Sequence, residues 1–309
     1  MLHFHFLRGL RRSLVSTTAL SACLLALSCH GQSSTTQSQA ASAHIDSTTL
    51  RGDTLELIFA GDIMTHGPQI HAAAQSDGSY DFAQSFSLVR PAIERADLAI
   101  GNLETTFGGR PYSGYPMFSS PEALAVALRE AGFDVLTTSN NHSCDRRGYG
   151  ITHTIDVLDS LGIATTGSYR NLSERPTRTP LIQSVRGIKL AILAYTYGTN
   201  GLPIPHPTVI DTISKERIAA DLRRADSLGA EYKIIQIHWG NEYEKSPNRA
   251  QRELAQWLAD QGVDAVIGSH PHVVQESTRL QRQDTLRGWG TSSATKSPHQ
   301  PLVVGCFYP

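Results

Sequence analysis

The sequence predicts an α/β fold, a sheet covered by helices, on three observations. From Leu55 onward, short β-rich apolar runs alternate with amphipathic stretches of helical period. The runs are apolar almost continuously rather than at every second residue, which is the pattern of strands buried on both faces. Each amphipathic stretch ends in glycine shortly before the next run, where a helix C′ position favours a residue that tolerates positive φ.

In chain order the expected strands are LELIFAG (55–61), DLAIGN (97–102), DVLTTS (134–139), IKLAILAYT (188–196), YKIIQIHW (232–239) and VDAVIG (263–268). The expected helices are PEALAVALREAG (121–132), GITHTIDVLDSLG (150–162), SKERIAADLRRADSLG (214–229) and NRAQRELAQWLADQG (248–262). The first opens on a proline, whose fixed φ and missing N–H suit a helix start. No internal repeat interrupts the order.

Ahead of this pattern the chain reads as a leader and a tether. Arg8, Arg11 and Arg12 form a positive n-region, and residues 13–27 are mostly apolar or small, too short to span a membrane as a mature helix. The run ends in ALSC (26–29), succeeded at once by HGQSSTTQSQ. This resembles a bacterial lipoprotein signal, with Cys29 acylated after cleavage. LSAC (20–23) fits a lipobox by residue type but leaves a short, Ser/Thr-diluted apolar run, so Cys29 is expected. An ordinary secretory signal with incidental cysteines is the plain alternative. Cleavage before Cys29 removes three arginines and no acids, taking the net charge from −1 to −4. Residues 29–53 are Ser/Thr/Gln/Ala-rich and cannot bury a core, so they read as a flexible tether. The folded domain is expected over 54–287, beyond which the tail, 288–309, changes character.

The composition, 40% hydrophobic and 18% charged, is that of an ordinary globular protein, and its charge gives no electrostatic case for nucleic acid. Cys144 and Cys306 alone remain beyond the tether, too few for a disulfide framework.

The residues at the strand ends carry the chemistry. The first strand ends in Gly61-Asp62-Ile63-Met64, the second in Gly101-Asn102-Leu103-Glu104 and the third in Ser139-Asn140-Asn141-His142. The fifth ends in His238-Trp239-Gly240 with Glu242 just after, and the sixth in Gly268-Ser269-His270-Pro271-His272. Open α/β sheets build ligand sites at these C-terminal ends. Carboxylate, amide and imidazole donors without a thiolate set suit Mn, Fe or Zn rather than a structural zinc site. One bridging carboxylate and three or more imidazoles would suit a pair of ions. Each motif also has a plainer reading: Gly-Asp as a turn, Asn140-Asn141 as a left-handed turn pair, His142 as a helix cap partnered by Asp145, His238 as a satisfied buried histidine. His270-Pro271-His272 is the hardest to dismiss, because proline fixes the backbone between the two rings.

GDIM, NLETTF, NNHSCDRRGYG, HWGNEY and VDAVIGSHPHVVQ stand in the order and spacing of the capsule synthesis protein CapA family, which is associated with poly-γ-glutamate. Over about 55–275 the chain resembles that family, itself similar to the calcineurin-like metallophosphatases. The resemblance implies a four-layer αββα sandwich carrying one or two divalent ions at its strand ends. It implies Asp62 as the first acidic ligand, Glu104 where a bridging carboxylate would stand, and Asn141 as a ligand. His142 becomes the acid or transition-state donor, and His238, His270 and His272 the imidazole ligands. Ser119 and Ser120, in YSGYPMFSSPEALA (112–125), and Glu242 are the expected substrate contacts, although 112–125 also reads as a packed loop. One departure stands out. An Asp-x-His would place histidine at position 64, where this chain has Met64, and His66 has the wrong spacing to replace it simply. His206 reads as part of a rigid Pro-rich loop.

These features lead to a lipid-anchored protein of the bacterial cell envelope, facing periplasm or exterior. It would act on an anionic capsule polymer or polyglutamate through a metal-dependent hydrolytic site. The competing reading is a non-catalytic protein that binds the polymer during assembly or export. Met64 favours the second; the Asn-His and His-x-His motifs favour the first.

The tail GWGTSSATKSPHQPLVVGCFYP (288–309) does not resemble the strand ending in LGNFISNQ that such a family adds after its His-x-His. Read from the third base of the Gly288 codon, the codons for 288–296 become NTG, GGG, NAC, NTC, NTC, NGC, NAC and NAA, with TCN for both serines. These triplets can spell Leu-Gly-Asn-Phe-Ile-Ser-Asn-Gln. We therefore read 288–309 as an out-of-frame tail, arising from mutation or sequencing error, and expect it to leave the last sheet edge uncovered. Resequencing the locus checks this: DNA that does not encode LGNFISNQ in the shifted frame ends the idea. For the anchor, Cys29→Ala is expected to release the protein from membranes or leave it unprocessed, while Cys23→Ala changes little. Membrane fractionation giving the reverse result would move the cleavage site to LSAC.

Overall fold

The computed structural model describes residues 54–280, together with the backbone of two short strands, Leu2–Leu7 and Leu302–Val304. Cys29, the tether and most of the tail lie outside the described residues. The first half of the chain runs β1 (Leu2–Leu7), β2 (Thr54–Ile63), α1 (Gly67–Ala73), α2 (Ala83–Phe86), α3 (Arg90–Arg95) and β3 (Leu98–Leu103). It continues through α4 (Ala123–Glu130), β4 (Val135–Thr137), α5 (Arg147–Ser160) and β5 (Ala164–Thr166). These strands form one sheet in the order β1-β2-β3-β4-β5, parallel from β2 to β5.

The second half contains β6 (Ser168–Tyr169), α6 (Arg175–Arg178), β7 (Leu181–Val185), β8 (Ile188–Thr196), β9 (Val209–Ile210) and α7 (Lys215–Ser227). After these come β10 (Tyr232–His238), α8 (Arg249–Asp260), β11 (Ala265–Ser269), β12 (Thr278–Arg279) and β13 (Leu302–Val304). The second sheet has the order β12-β13-β11-β10-β8-β7, with a parallel centre and antiparallel β7 and β12. β6 and β9 pair separately. The backbone of β13 pairs with β11, which corrects the expectation of an uncovered edge there.

Strand parity fixes the layering. In the first sheet Ile58, Ala99, Leu103 and Leu136 pack against Ile93, Leu124, Leu128 and Leu158 from α3, α4 and α5. In the second, Leu193, Tyr195, Ile235, Ile237 and Val266 pack against Ile218 and Leu222 of α7 and Leu258 of α8. The alternate residues, Leu57, Ile100 and Val135 in one sheet and Leu190, Ile192 and Ile234 in the other, are equally buried. Successive side chains point to opposite faces. The second faces must therefore cover each other, with helices outside both. The result is a four-layer α/β sandwich, and a hydrogen-bond contact between Asn102 of one sheet and His238 of the other crosses its middle. Among the described residues no helix is long and apolar enough to cross a membrane.

All six expected strands and all four expected helices are present. α7 and α8 start at Ser214 and Asn248, whose side chains accept from the backbone N–H of Arg217 and Gln251. The strands β5, β6, β7, β9 and β12 and the helices α1, α2, α3 and α6 were not anticipated, being too short or too near an edge to show a period.

Beneath the strand ends a buried ionic cluster fixes the loops. Arg175 pairs with Asp211 at 2.7 Å and Asp221 at 2.5 Å. Tyr169 and Tyr195 donate to the same two carboxylates. The Asp211 carbonyl in turn accepts from the Ser139 hydroxyl at 2.6 Å, immediately before Asn140-Asn141-His142. Arg175→Met is expected to strand two buried carboxylates and cost about 3–5 kcal/mol, read as a lower midpoint in urea denaturation.

Candidate metal centre

Every donor identified from the sequence stands where a parallel strand stops. The pairing of β2 with β3 shifts register between Ala60 and Asp62, a bulge at Gly61 placed directly before the carboxylate. The same register sets Asp62 opposite Asn102, and β10 sets His238 opposite Ser269. Glu104 lies one residue beyond β3, Asn141 and His142 lie in the turn after β4, and His270 and His272 come just after β11.

These side chains converge. Asn102 donates to Asp62 Oδ1 at 2.8 Å and stands 3.3 Å from His238 Nδ1, which is also 2.9 Å from the Ser269 hydroxyl. His238 Nε2 lies 2.9 Å from Asn141 Oδ1 and 3.4 Å from Glu104 Oε1. His272 Nδ1 is 3.0 Å from Asp62 Oδ2, which also accepts from the His270 N–H at 3.1 Å. Glu104, His238 and His270 form one group with ligand atoms within 4.8 Å of one another; Asp62, Glu104 and His272 form a second. Glu104 belongs to both, as a bridging carboxylate must.

The two asparagines divide their work. Asn140 holds the turn, donating to the Leu103 carbonyl at 2.7 Å and accepting from the His142 N–H. Asn141 faces the centre. His142 is held by Asp145, whose Oδ2 is 2.7 Å from Nδ1 and also accepts from the Phe118 N–H. The plainer reading of His142 as an Asp145 partner therefore describes its geometry, but the ring also borders a cavity. That cavity, of about 250 Å³, is lined by Met64, His66, Tyr115, Phe118, His142, Glu242, Tyr243 and His272, with no lysine or arginine among them.

The electrostatics ask for a cation. Glu104 is fully buried, and neither carboxylate oxygen has a hydrogen-bond partner among the described residues. Burial, with the adjacent Asp62 charge, raises its pKa well above the carboxylate range. Burial alone would raise Asp62 too, but the hydrogen bond to His272, nearby imidazoles and Asn102 hold it well below its ordinary value. Burial pushes His238 and His270 down, which favours the neutral ring that binds metal. The donor set fits a divalent ion because an orphaned carboxylate, a second carboxylate and neutral imidazoles meet in one dry place.

The backbone also shows what holding the imidazoles requires. His270 has φ of 96° and His272 φ of 53°, in the left-handed region that non-glycine residues avoid. Proline between them leaves both rings on the site, with centroids 6.0 Å apart.

Some expectations need correction. Ser119 is fully buried and donates to the Gly109 carbonyl at 2.8 Å, so it does not line the cavity. Its neighbour Ser120 points the other way, toward Thr65 and Thr105. Met64 lines the cavity without supplying an imidazole, and His66 stands beside it against Phe118. Glu242 lies at the exposed mouth. Asn102 and Ser269 stand in the strand-end motifs, yet sequence reasoning gave them no role; their register opposite Asp62 and His238 was the available signal.

The chain is 28% identical over 243 residues to the PGA biosynthesis protein CapA of Bacillus subtilis, covering 74% of this chain and 60% of that protein. It is 27% identical to the capsule biosynthesis protein CapA of Bacillus anthracis, covering 72% and 55%. This chain thus spans less than two thirds of either relative. Among solved structures, NAD nucleotidase from Haemophilus influenzae superposes with a TM-score of 0.47 at 14% identity, covering 71% of this chain and 39% of that one. The profile described as bacterial capsule synthesis protein PGA_cap matches residues 56–286, and the chain belongs to that family.

Proposed function

We propose that this protein serves capsule or poly-γ-glutamate synthesis or processing at the bacterial cell envelope, held there through a lipid on Cys29. Its strand-end centre acts as a metal-dependent hydrolase on a phosphoester or γ-glutamyl amide. Support for the biological setting comes from the family and from the two Bacillus relatives named for PGA and capsule biosynthesis. The observation that carries the chemical reading is Glu104, a fully buried carboxylate with no hydrogen bond from the described residues, between two clusters of donors.

Asp62, Glu104, Asn141, His238, His270 and His272 would hold one or two ions of Mn, Fe or Zn. A divalent ion supplies Lewis acidity and makes water a nucleophile at neutral pH. The remaining work falls to the chain. Asp145 fixes the His142 ring by engaging Nδ1, leaving Nε2 to give a proton to the leaving group. Phe118 packs edge-on against that ring, at 4.6 Å between centroids, and restricts its rotation. Asn102 and Ser269 hold His238 in orientation, as outer partners of ligating histidines do.

A second reading, polymer binding without catalysis, is favoured by Met64, which leaves the cavity without the imidazole expected at that position.

His238→Ala and His270→Ala are each expected to lose bound metal while the circular dichroism of the fold persists. His142→Gln is expected to keep its metal and lose about 10²–10⁴-fold in hydrolysis, assayed on phosphodiester and γ-glutamyl peptide panels. Unchanged metal content in both alanine variants would remove the site. Metal retained by the wild type with no turnover on any panel would favour the binding reading.

A further inference from the structure

His270 and His272 also face Glu242, a carboxylate outside the set of ligands assigned above. Glu242, His270 and His272 offer ligand atoms within 4.8 Å of one another, a third group beside the two that share Glu104. Two imidazoles and one carboxylate form a donor set for Zn, Fe(II) or Mn. His270 is 5% exposed, and its Nδ1 makes no hydrogen bond among the described residues.

The segment carrying Glu242 is tied to the histidine turn. The Tyr243 N–H donates to the Pro271 carbonyl at 2.8 Å, and Gln275 donates to the Glu244 carbonyl at 2.8 Å. Trp239 N–H donates to the Ser269 carbonyl at 3.1 Å. Gly240, at φ of 92°, lets the chain turn where a Cβ would stand 2.7 Å from the Gln251 side chain. Tyr243 itself takes φ of 62°. The backbone on both sides of Glu242 is thus fixed to the element that carries the two rings, and an exposed side chain is kept beside them. Met64, on the same cavity, offers only a thioether, a poor donor for these ions.

We propose that Glu242 is a metal ligand, closing the divalent-ion site on its solvent side together with His270 and His272. The inference rests on the reading of the strand-end centre as a metal site and adds to it a ligand drawn from the loop after β10. Glu242 then acts on the ion rather than on substrate, which revises the role expected from the sequence.

The test uses the full chain, stripped of metal with a chelator and titrated with Zn(II) and, separately, Co(II). Ions per chain are counted by elemental analysis, and the visible Co(II) spectrum reports coordination. Glu242→Gln is expected to lose one ion per chain or to weaken the last-bound ion at least about tenfold, with an altered Co(II) spectrum and an unchanged apoprotein melting temperature. Glu244→Gln, an exposed acid two residues on, controls for net charge and is expected to match the wild type. Wild-type affinity, count and spectrum in Glu242→Gln would overturn the assignment and leave the inner centre standing. An equal loss in both variants would reduce the effect to surface charge and overturn it as well. A wild type that takes up no ion would remove the metal reading altogether.

Discussion

The burial of Glu104 beside Asp62 is the constraint around which this end of the molecule is arranged. Two carboxylates with no access to water repel each other and lose their hydration, and among the described residues Glu104 has no hydrogen bond to offset that loss. Such a group either keeps a proton or takes a positive partner. Several departures from regular structure nearby place donors around it. The bulge at Gly61 re-aims Asp62, the side chain of Asn140 closes the turn that presents Asn141, and two histidines accept left-handed backbone conformations. Left-handed backbone at His270 and His272 beside one buried carboxylate persists only because the surrounding structure over-determines it.

Much of the layering was readable because its cause is simple. Strands buried on both faces must be apolar throughout, and the long helices between them must stop, here at glycines. The short helices α1 to α3 and the two-residue strands β6 and β9 carry no such signal, so they are visible only in three dimensions. The chemistry was readable as residue types at strand ends but not as directions. Asn102 and Glu104 share strand parity and point between the sheets, while Leu103 between them faces the helices. Ser119 and Ser120 differ by one residue and therefore by side, and only the second turns toward Thr65 beside the centre. Glu242 presents a similar case, since its position in a loop says nothing of the histidines that the next strand brings alongside.

Membership of the capsule synthesis family spans nearly all of the described sandwich. The family match ends at residue 286, two residues before Gly288, where the reading frame is expected to change. Among the described residues beyond that point, Leu302–Val304 of β13 pair with β11. A cavity of about 350 Å³ is lined by Trp239, Ala255, Thr278 and Leu280, among others. β11, which leads into the His-x-His turn, is fully buried.

The mouth of the cavity bears on the order in which ligands arrive. Its walls present aromatic rings, imidazoles and the Glu242 carboxylate, and no lysine or arginine. An anionic chain end entering it would meet no lysine or arginine of the described lining, so divalent charge at the centre would supply the attraction. Capture of an acidic polymer by this wall, as proposed above, would then be a two-key process. Cation availability in the surrounding medium would set how much of the protein is competent, and with no divalent cation present no polymer concentration would substitute for it.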